Sequence, residues 1–171
     1  SSPYALFENI DFPVLGKDFA SKIKNYYLHK KQPAKKPTRK TPYLKFITKS
    51  GKEVLVGRNS QENENLFRRV ARGNDMWFHV EEGQGSHVVL RYDKNSEFTE
   101  QDITDACMLA LYFSKQRQKQ EGSVVYTYCK FVQKPRKSPP GHVIYIKNKT
   151  RYVVLDKKEK RGQAAFLPKL L

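Results

Sequence analysis

Residues 76–90 read MWFHVEEGQGSHVVL, and the alternation in the two flanking runs constrains the fold more than any other stretch. Successive side chains of a β-strand point to opposite faces of its sheet. With a five-residue turn at 81–85, Val80 faces Ser86 and His79 faces His87 across an antiparallel ladder. Directly opposed side chains share a face, with Cβ atoms roughly 4.5–5.5 Å apart. Trp77, His79, His87 and Val89 therefore project from one face, and Met76, Phe78, Val88 and Leu90 from the other. The second set is wholly apolar and marks the core face, which leaves the three rings on the less apolar side. Gly83 and Gly85 allow the turn positive φ or a close backbone approach.

The same period recurs nearby. YLKFIT (43–48) and EVLVG (53–57) alternate around KSGK and predict another hairpin. RNSQENENLFRRVARG (58–73) then shifts to helical spacing. Asn59 with Glu62 resembles a capping box, Leu66, Phe67, Val70 and Ala71 form the apolar stripe, and Gly73 suits the stop. A longer helix is predicted over 99–118, capped by Thr99 with Asp102 at N3 and Lys115, Arg117 and Lys119 near its negative end. VVYTYCKFV, GHVIYI and RYVVL read as three further strands. The order ββαββαβββ predicts an α+β domain over residues 42–171: a largely antiparallel sheet with two helices covering one face. Residues 1–41 read as an N-terminal extension, with an irregular segment, a basic amphipathic helix at 17–31 and a Pro/Lys-rich linker.

Charge narrows the function. The chain of 171 residues carries 33 Lys and Arg against 17 Asp and Glu, a net charge of +16. An excess this large repels itself in a compact state and points to a phosphate-rich partner, nucleic acid before anionic membrane. No apolar run approaches the roughly 18 residues that span a bilayer, and no signal peptide is visible. Cys107 and Cys129 form no CxxC pair, so they read as buried free thiols in a reducing, cytoplasmic compartment. The absence of an initiator Met fits a piece of a longer polypeptide.

Four chemistries compete for the histidine hairpin. A metal needs three or four ligands, and His79 with His87 supplies two; the nearest further histidine, His142, lies in a distant strand, so no metal or other cofactor is expected. A Ser86–His87–Asp75 triad is opposed by strand geometry, because adjacent residues diverge, and no enzymatic activity is expected. Half-buried histidines that anchor the turn are a third reading. The fourth is a recognition surface, since indole and imidazole stack on unpaired bases and imidazole donates to phosphate or base edges. The basic charge favours this last reading. EGQG is too short and too acidic for a phosphate loop, and neither GxGxxG nor GxxxxGK[ST] occurs.

These residues also carry a family resemblance. The Gly57-Arg58-Asn59 turn, Asn63, the run Asp75-x-Trp77-Phe78-His79-Val80 and the run Gly85-Ser86-His87-Val88-Val89 resemble the signature of the NFACT-R domain. A helix ending YFSK, a strand with Tyr126, VQKPRKSPPGHVIY and a closing strand follow in the same order, so the resemblance covers about residues 42–155. Ahead of this domain the family usually has a long coiled-coil hairpin, which here is reduced to one helix and a linker. The resemblance implies a module of proteins similar to RqcH and nuclear export mediator factor. These bind a large ribosomal subunit holding a stalled nascent chain, recruit tRNA and support C-terminal tailing. It implies contacts to tRNA and large-subunit ribosomal RNA, completed by an NFACT-N portion on the same polypeptide or another, with catalysis left to the ribosome. Other relatives are described as DNA-binding or as fibronectin- or fibrinogen-binding, an alternative without a motif in this sequence.

On this reading Trp77, His79 and His87 meet base or sugar, with Ser86 beside them. Arg58, Arg68, Arg72, Lys134, Arg136 and Lys137 serve phosphates. Asn59 and Asn63 either cap the helix or meet a base edge, with capping preferred for Asn59, and Asp75 orders the turn before its strand. The basic segment Lys30–Lys40 adds non-specific, salt-sensitive affinity.

Overall fold

The structure, a computed structural model, describes residues 41–155 and 169–170. The helix and linker expected in the N-terminal extension, with the basic segment Lys30–Lys40, lie outside the described residues. Strands β1 (Leu44–Ile47) and β2 (Glu53–Val56) form the first hairpin, with Leu44 opposite Val56. Gly51 takes φ +91° in its turn, a conformation that a side chain would strain. Helix α1 (Ser60–Asn65) follows and continues as a π-helical turn through Leu66–Val70. Asn59 caps it as expected: its Oδ1 accepts the Glu62 N–H at 2.9 Å.

The hairpin of β3 (Met76–Val80) and β4 (Val88–Leu90) has the anticipated register, with Trp77 opposite Val89. Helix α2 (Glu100–Tyr112) opens with a complete capping box. Thr99 Oγ1 accepts the Asp102 N–H at 3.1 Å, and Asp102 Oδ2 accepts the Thr99 N–H at 2.9 Å. Then come β5 (Glu121–Tyr128), β6 (Val132–Gln133), β7 (Ile144–Tyr145), β8 (Lys149–Val154) and β9 (Lys169–Leu170). Seven strands form one sheet in the order β8-β5-β3-β4-β2-β1-β9, with every pairing antiparallel. β6 and β7 make a separate two-stranded ribbon, so the strand expected over GHVIYI shrinks to two residues.

The α+β class and the mainly antiparallel sheet are as read from the sequence; the placement of the helices is not. They cover opposite faces. α2 packs Ala106, Leu109 and Ala110 against Phe46, Val54, Phe78, Val88 and Leu90. On the other face Leu66, at the end of α1, joins Leu55, Trp77, Val89, Val125 and Cys129 in a second core. The physical reason is that β2, β3, β4 and β5 carry apolar residues at both phases of their alternation. An uncovered second face would expose that surface, at about 25 cal/mol per Å².

Helix α2 also ends earlier than the sequence suggests, at Tyr112. Tertiary hydrogen bonds override its periodicity. Phe113 O accepts the Ser86 N–H, and the Lys115 N–H donates to Gln84 O, both at 2.9 Å. Ser114 Oγ then accepts the Gln116 N–H at 3.1 Å and starts a 3₁₀ turn over Lys115–Lys119. At the opposite end of α2, Lys52 Nζ meets Asp102 Oδ2 at 2.9 Å with both side chains buried. Burial opposes the Asp102 charge, but Ser50, the Thr99 N–H, Lys52 and Thr48 outweigh it and hold its pKa far below the usual carboxylate range.

Candidate nucleic-acid interface

The early end of α2 opens a cleft of about 840 Å³ at the tip of the β3–β4 hairpin. Its walls come from α1, the hairpin turn, the 3₁₀ turn after α2 and the loop that ends in Pro140-Gly141-His142. Of the residues singled out in the sequence, it gathers Arg58, Asn59, Asn63, His79, Ser86 and His87. Lys115, Arg117 and His142 join them, and sequence reasoning had given these three no place in the site. The available signal was Ser114: a hydroxyl residue is a poor helix interior and a good cap, so it marks a chain reversal there.

The two hairpin histidines do share a face with Trp77. The Trp77 and His79 rings stack at 5.9 Å, and His87 stands edge-on to them at 5.5 and 5.6 Å. Burial separates their chemistry. His79 is half-buried and donates its Nδ1–H to Val80 O at 2.6 Å. His87 is 3% exposed, and its backbone N–H donates to Asn63 Oδ1 at 3.1 Å. Burial lowers the pKa of His79 despite hydrogen bonds to the backbone of Val80 and Gly85. It takes His87 down to about 3, with the neighbouring His79 adding to the shift and the Gly141 backbone opposing it. Both rings are therefore neutral near pH 7. They form hydrogen bonds and supply no positive charge.

Several expected contacts are corrected by the same geometry. Trp77 is 1% exposed, with the Tyr145 ring centroid 5.1 Å away, so it is a core residue and presents no open face to a base. Lys134 does not reach outward to phosphate. Its ammonium lies 3.0 Å from Glu64 and also donates to Pro139 O, pinning its loop to α1. The Gly141 N–H donates to the same carboxylate at 2.9 Å, and Arg68 pairs with it at 2.6 Å. Burial works against the Glu64 charge, yet these donors lower its pKa. Arg58 lies in the cleft wall but is tied to Glu62 at 2.6 Å and donates to Thr41 O at 2.9 Å. Asp75 orders its turn as expected: its carboxylate accepts the Arg72 N–H at 2.8 Å and the Tyr92 N–H at 2.7 Å. Arg68, Arg72, Arg136 and Lys137 are exposed, and none of them lines the cleft.

Asn63 holds the cleft together. A Cβ at Gly57 would lie 2.1 Å from its Oδ1, so α1 sits as close to the end of β2 as a glycine allows. The Gly57 N–H donates to His87 O at 3.0 Å and closes the link. Charge at the rim comes from Lys115 and Arg117, neither of which pairs with a carboxylate among the described residues. No group of three or more His, Cys, Asp or Glu among the described residues is placed to hold a metal ion. Cys107 and Cys129 are buried free thiols, each pushed by burial up to about 12. No helix among the described residues is long and apolar enough to cross a membrane.

An antiparallel sheet covered on both faces, with a polar, cation-rimmed cleft at one end, defines a basic α+β binding module. Residues 42–147 match the family described as NFACT protein RNA binding domain, and the chain belongs to that family. It is 39% identical over 137 residues to the Rqc2 homolog RqcH of Bacillus subtilis strain 168, covering 78% of this chain and 24% of the relative. It is 36% identical over 115 residues to the Rqc2 homolog RqcH of Streptococcus pneumoniae D39, covering 67% of this chain and 20% of the relative. The chain thus spans about a quarter or less of the length of these curated relatives. Among solved structures, the C-terminal part of the fibronectin/fibrinogen-binding protein of Streptococcus suis matches with a TM-score of 0.64 and 26% identity, covering 89% of this chain and 60% of that one.

Proposed function

We propose that this domain binds RNA through the histidine cleft, that its ligand is tRNA held on a large ribosomal subunit with a stalled nascent chain, and that it serves cytoplasmic ribosome quality control. The observation that carries the reading is the composition of the cleft: three of the four histidines lie beside Lys115 and Arg117. The neutral imidazole of half-buried His79 suits ribose hydroxyls and base edges, which offer both donors and acceptors. The two rim cations suit the phosphates and supply the salt-dependent part of the affinity. The relatives named for ribosome quality control support this choice of partner. Large-subunit RNA would flank the tRNA, and an NFACT-N portion of the same or another polypeptide would complete the grip. The chain supplies no nucleophile in this scheme, because peptide transfer belongs to the ribosome.

The test is crosslinking in cells followed by sequencing of the attached nucleic acid. Recovery of tRNA with large-subunit ribosomal RNA is expected. Recovery of neither refutes the reading.

A further inference from the structure

The other face of the sheet carries a second surface that the cleft does not use. Beside the N-terminal end of α2 lies a groove of about 640 Å³, lined by Tyr92, Tyr128, Lys130, Lys147 and Lys149 among others. Two aromatic rings of the groove are open to solvent: Tyr92 is 50% and Tyr128 41% exposed. Cations sit over one face of the Tyr128 and Phe131 rings. Lys130 Nζ lies 5.2 Å from the Tyr128 centroid and 5.4 Å from that of Phe131, and Lys147 Nζ lies 4.7 Å from that of Phe131. Two carboxylates share the groove, Glu97 and Glu100, and Arg151 pairs with Glu100. The three lysines therefore outweigh the one carboxylate without an ion pair among the described residues.

We propose that this groove is a second RNA site, which takes an unpaired stretch by stacking bases on Tyr128 and Tyr92 while the lysines follow its phosphates. Exposed aromatic faces interleaved with ammonium groups are what a single strand requires: every base offers a π-face, and every linkage offers a charge. A duplex does not fit this chemistry, because its bases are already stacked on one another. The groove borders Glu100 and Ile103, and the histidine cleft borders Phe113 and Ser114. The two sites thus sit at opposite ends of a 13-residue helix, about 20 Å apart along its axis.

The proposal rests on the RNA-binding reading above, and the test separates the two. Fluorescein-labelled RNA of about 12 nucleotides, within the roughly 4–16 that a single-strand groove holds, is titrated with the full chain, as a single strand and as a duplex. The double variant Tyr92→Ala/Tyr128→Ala is expected to lose at least about 30-fold in affinity for the single strand, for two stacked bases, and little for the duplex. Both tyrosines are exposed, so the unfolding midpoint should stay near that of the wild type. The variant Lys130→Gln/Lys147→Gln should lower the salt slope of single-strand binding by about 1–2. Wild-type single-strand affinity in the tyrosine variant overturns the proposal and would leave the groove to a protein partner. If the wild-type chain binds neither RNA, the RNA-binding reading falls as well.

Discussion

Burial of His87 sets a measurable acid sensitivity. In the unfolded chain its imidazole titrates near the ordinary value of 6.5, whereas in the fold the pKa drops to about 3. Between those values the unfolded state binds the extra proton. Stability is therefore fully present above about pH 6.5 and is lost as pH falls towards 3. From pH 7 to pH 5 this one group costs about 2 kcal/mol, a large share of the roughly 5–15 kcal/mol that holds a domain folded. Asp105 acts in the opposite sense. Burial pushes its carboxyl up to about 6, so the folded state takes up a proton first and gains about 1 kcal/mol over the same interval. The raw pH profile is thus partly cancelled, and a difference measurement is needed. Urea unfolding of the wild type and His87→Gln at pH 7 and pH 5 isolates the imidazole, because Asp105 contributes to both proteins. His79, whose pKa is also lowered by burial, is present in both proteins, and only its repulsion with His87 is lost in the variant. The wild type should lose about 2 kcal/mol more than the variant, or about 1 M in midpoint for a slope near 2 kcal/mol per M. Parallel losses would show that the folded protein accommodates a charged imidazole and would refute the neutral cleft.

Asp102→Ala leaves the Lys52 ammonium buried without its partner and should cost about 3–5 kcal/mol in urea unfolding. The double change Lys52→Met/Asp102→Leu should recover much of that loss, and a double variant as unstable as the single one would sink the stranded-charge account. Gly57→Ala places a methyl group 2.1 Å from Asn63 Oδ1, so α1 must shift and the bond to His87 must break. A loss of about 1–3 kcal/mol is expected in thermal unfolding, with weaker RNA binding. In salt titrations, Lys115→Gln and Arg117→Gln should each lower the slope of log affinity by about 0.7–0.9, and His79→Gln should leave it unchanged because a neutral ring releases no counterion. An equal fall in slope for His79→Gln would show that the ring binds RNA as a cation.

The hairpin register was legible because Met76, Phe78, Val88 and Leu90 leave only one phase in which every core residue is apolar; a slip of either strand by one residue would turn His79 or His87 into that core instead. The caps at Asn59 and Thr99 were legible because each satisfies a local rule within four residues. The face chosen by α1 was not. Trp77 and Val89 alternate with the first core set, and the two histidines in the same phase made that face look polar. Burial of a histidine depends on groups that come from elsewhere, here Asn63 from α1, which accepts the His87 backbone N–H, and the Gly141 backbone beside the ring, while the buried Nδ1 goes without a partner among the described residues. Neither group is near it in sequence. His142 entered the cleft by the same non-local route, through a loop held by Glu64. Lys134 looked like one more surface cation because nothing local distinguishes a lysine that will meet Glu64 from one that will meet solvent.

Covering both faces also decides where a ligand can reach the domain. With α2 on one side and α1 on the other, the central strands expose little but their ends. Access concentrates where covering elements stop. The C-terminal end of α2 is held away from helical geometry by Gln84 and Ser86, and that departure opens the cleft. At its N-terminal end the chain after β5 turns aside through a 3₁₀ segment at Cys129–Phe131, which leaves Tyr128 in solvent. Each candidate surface therefore follows from an interruption of regular structure next to the same helix. Substitutions that extend α2 through Ser114 should close the first surface and spare the second, because Tyr128 depends on the turn after β5 and not on the last turn of the helix.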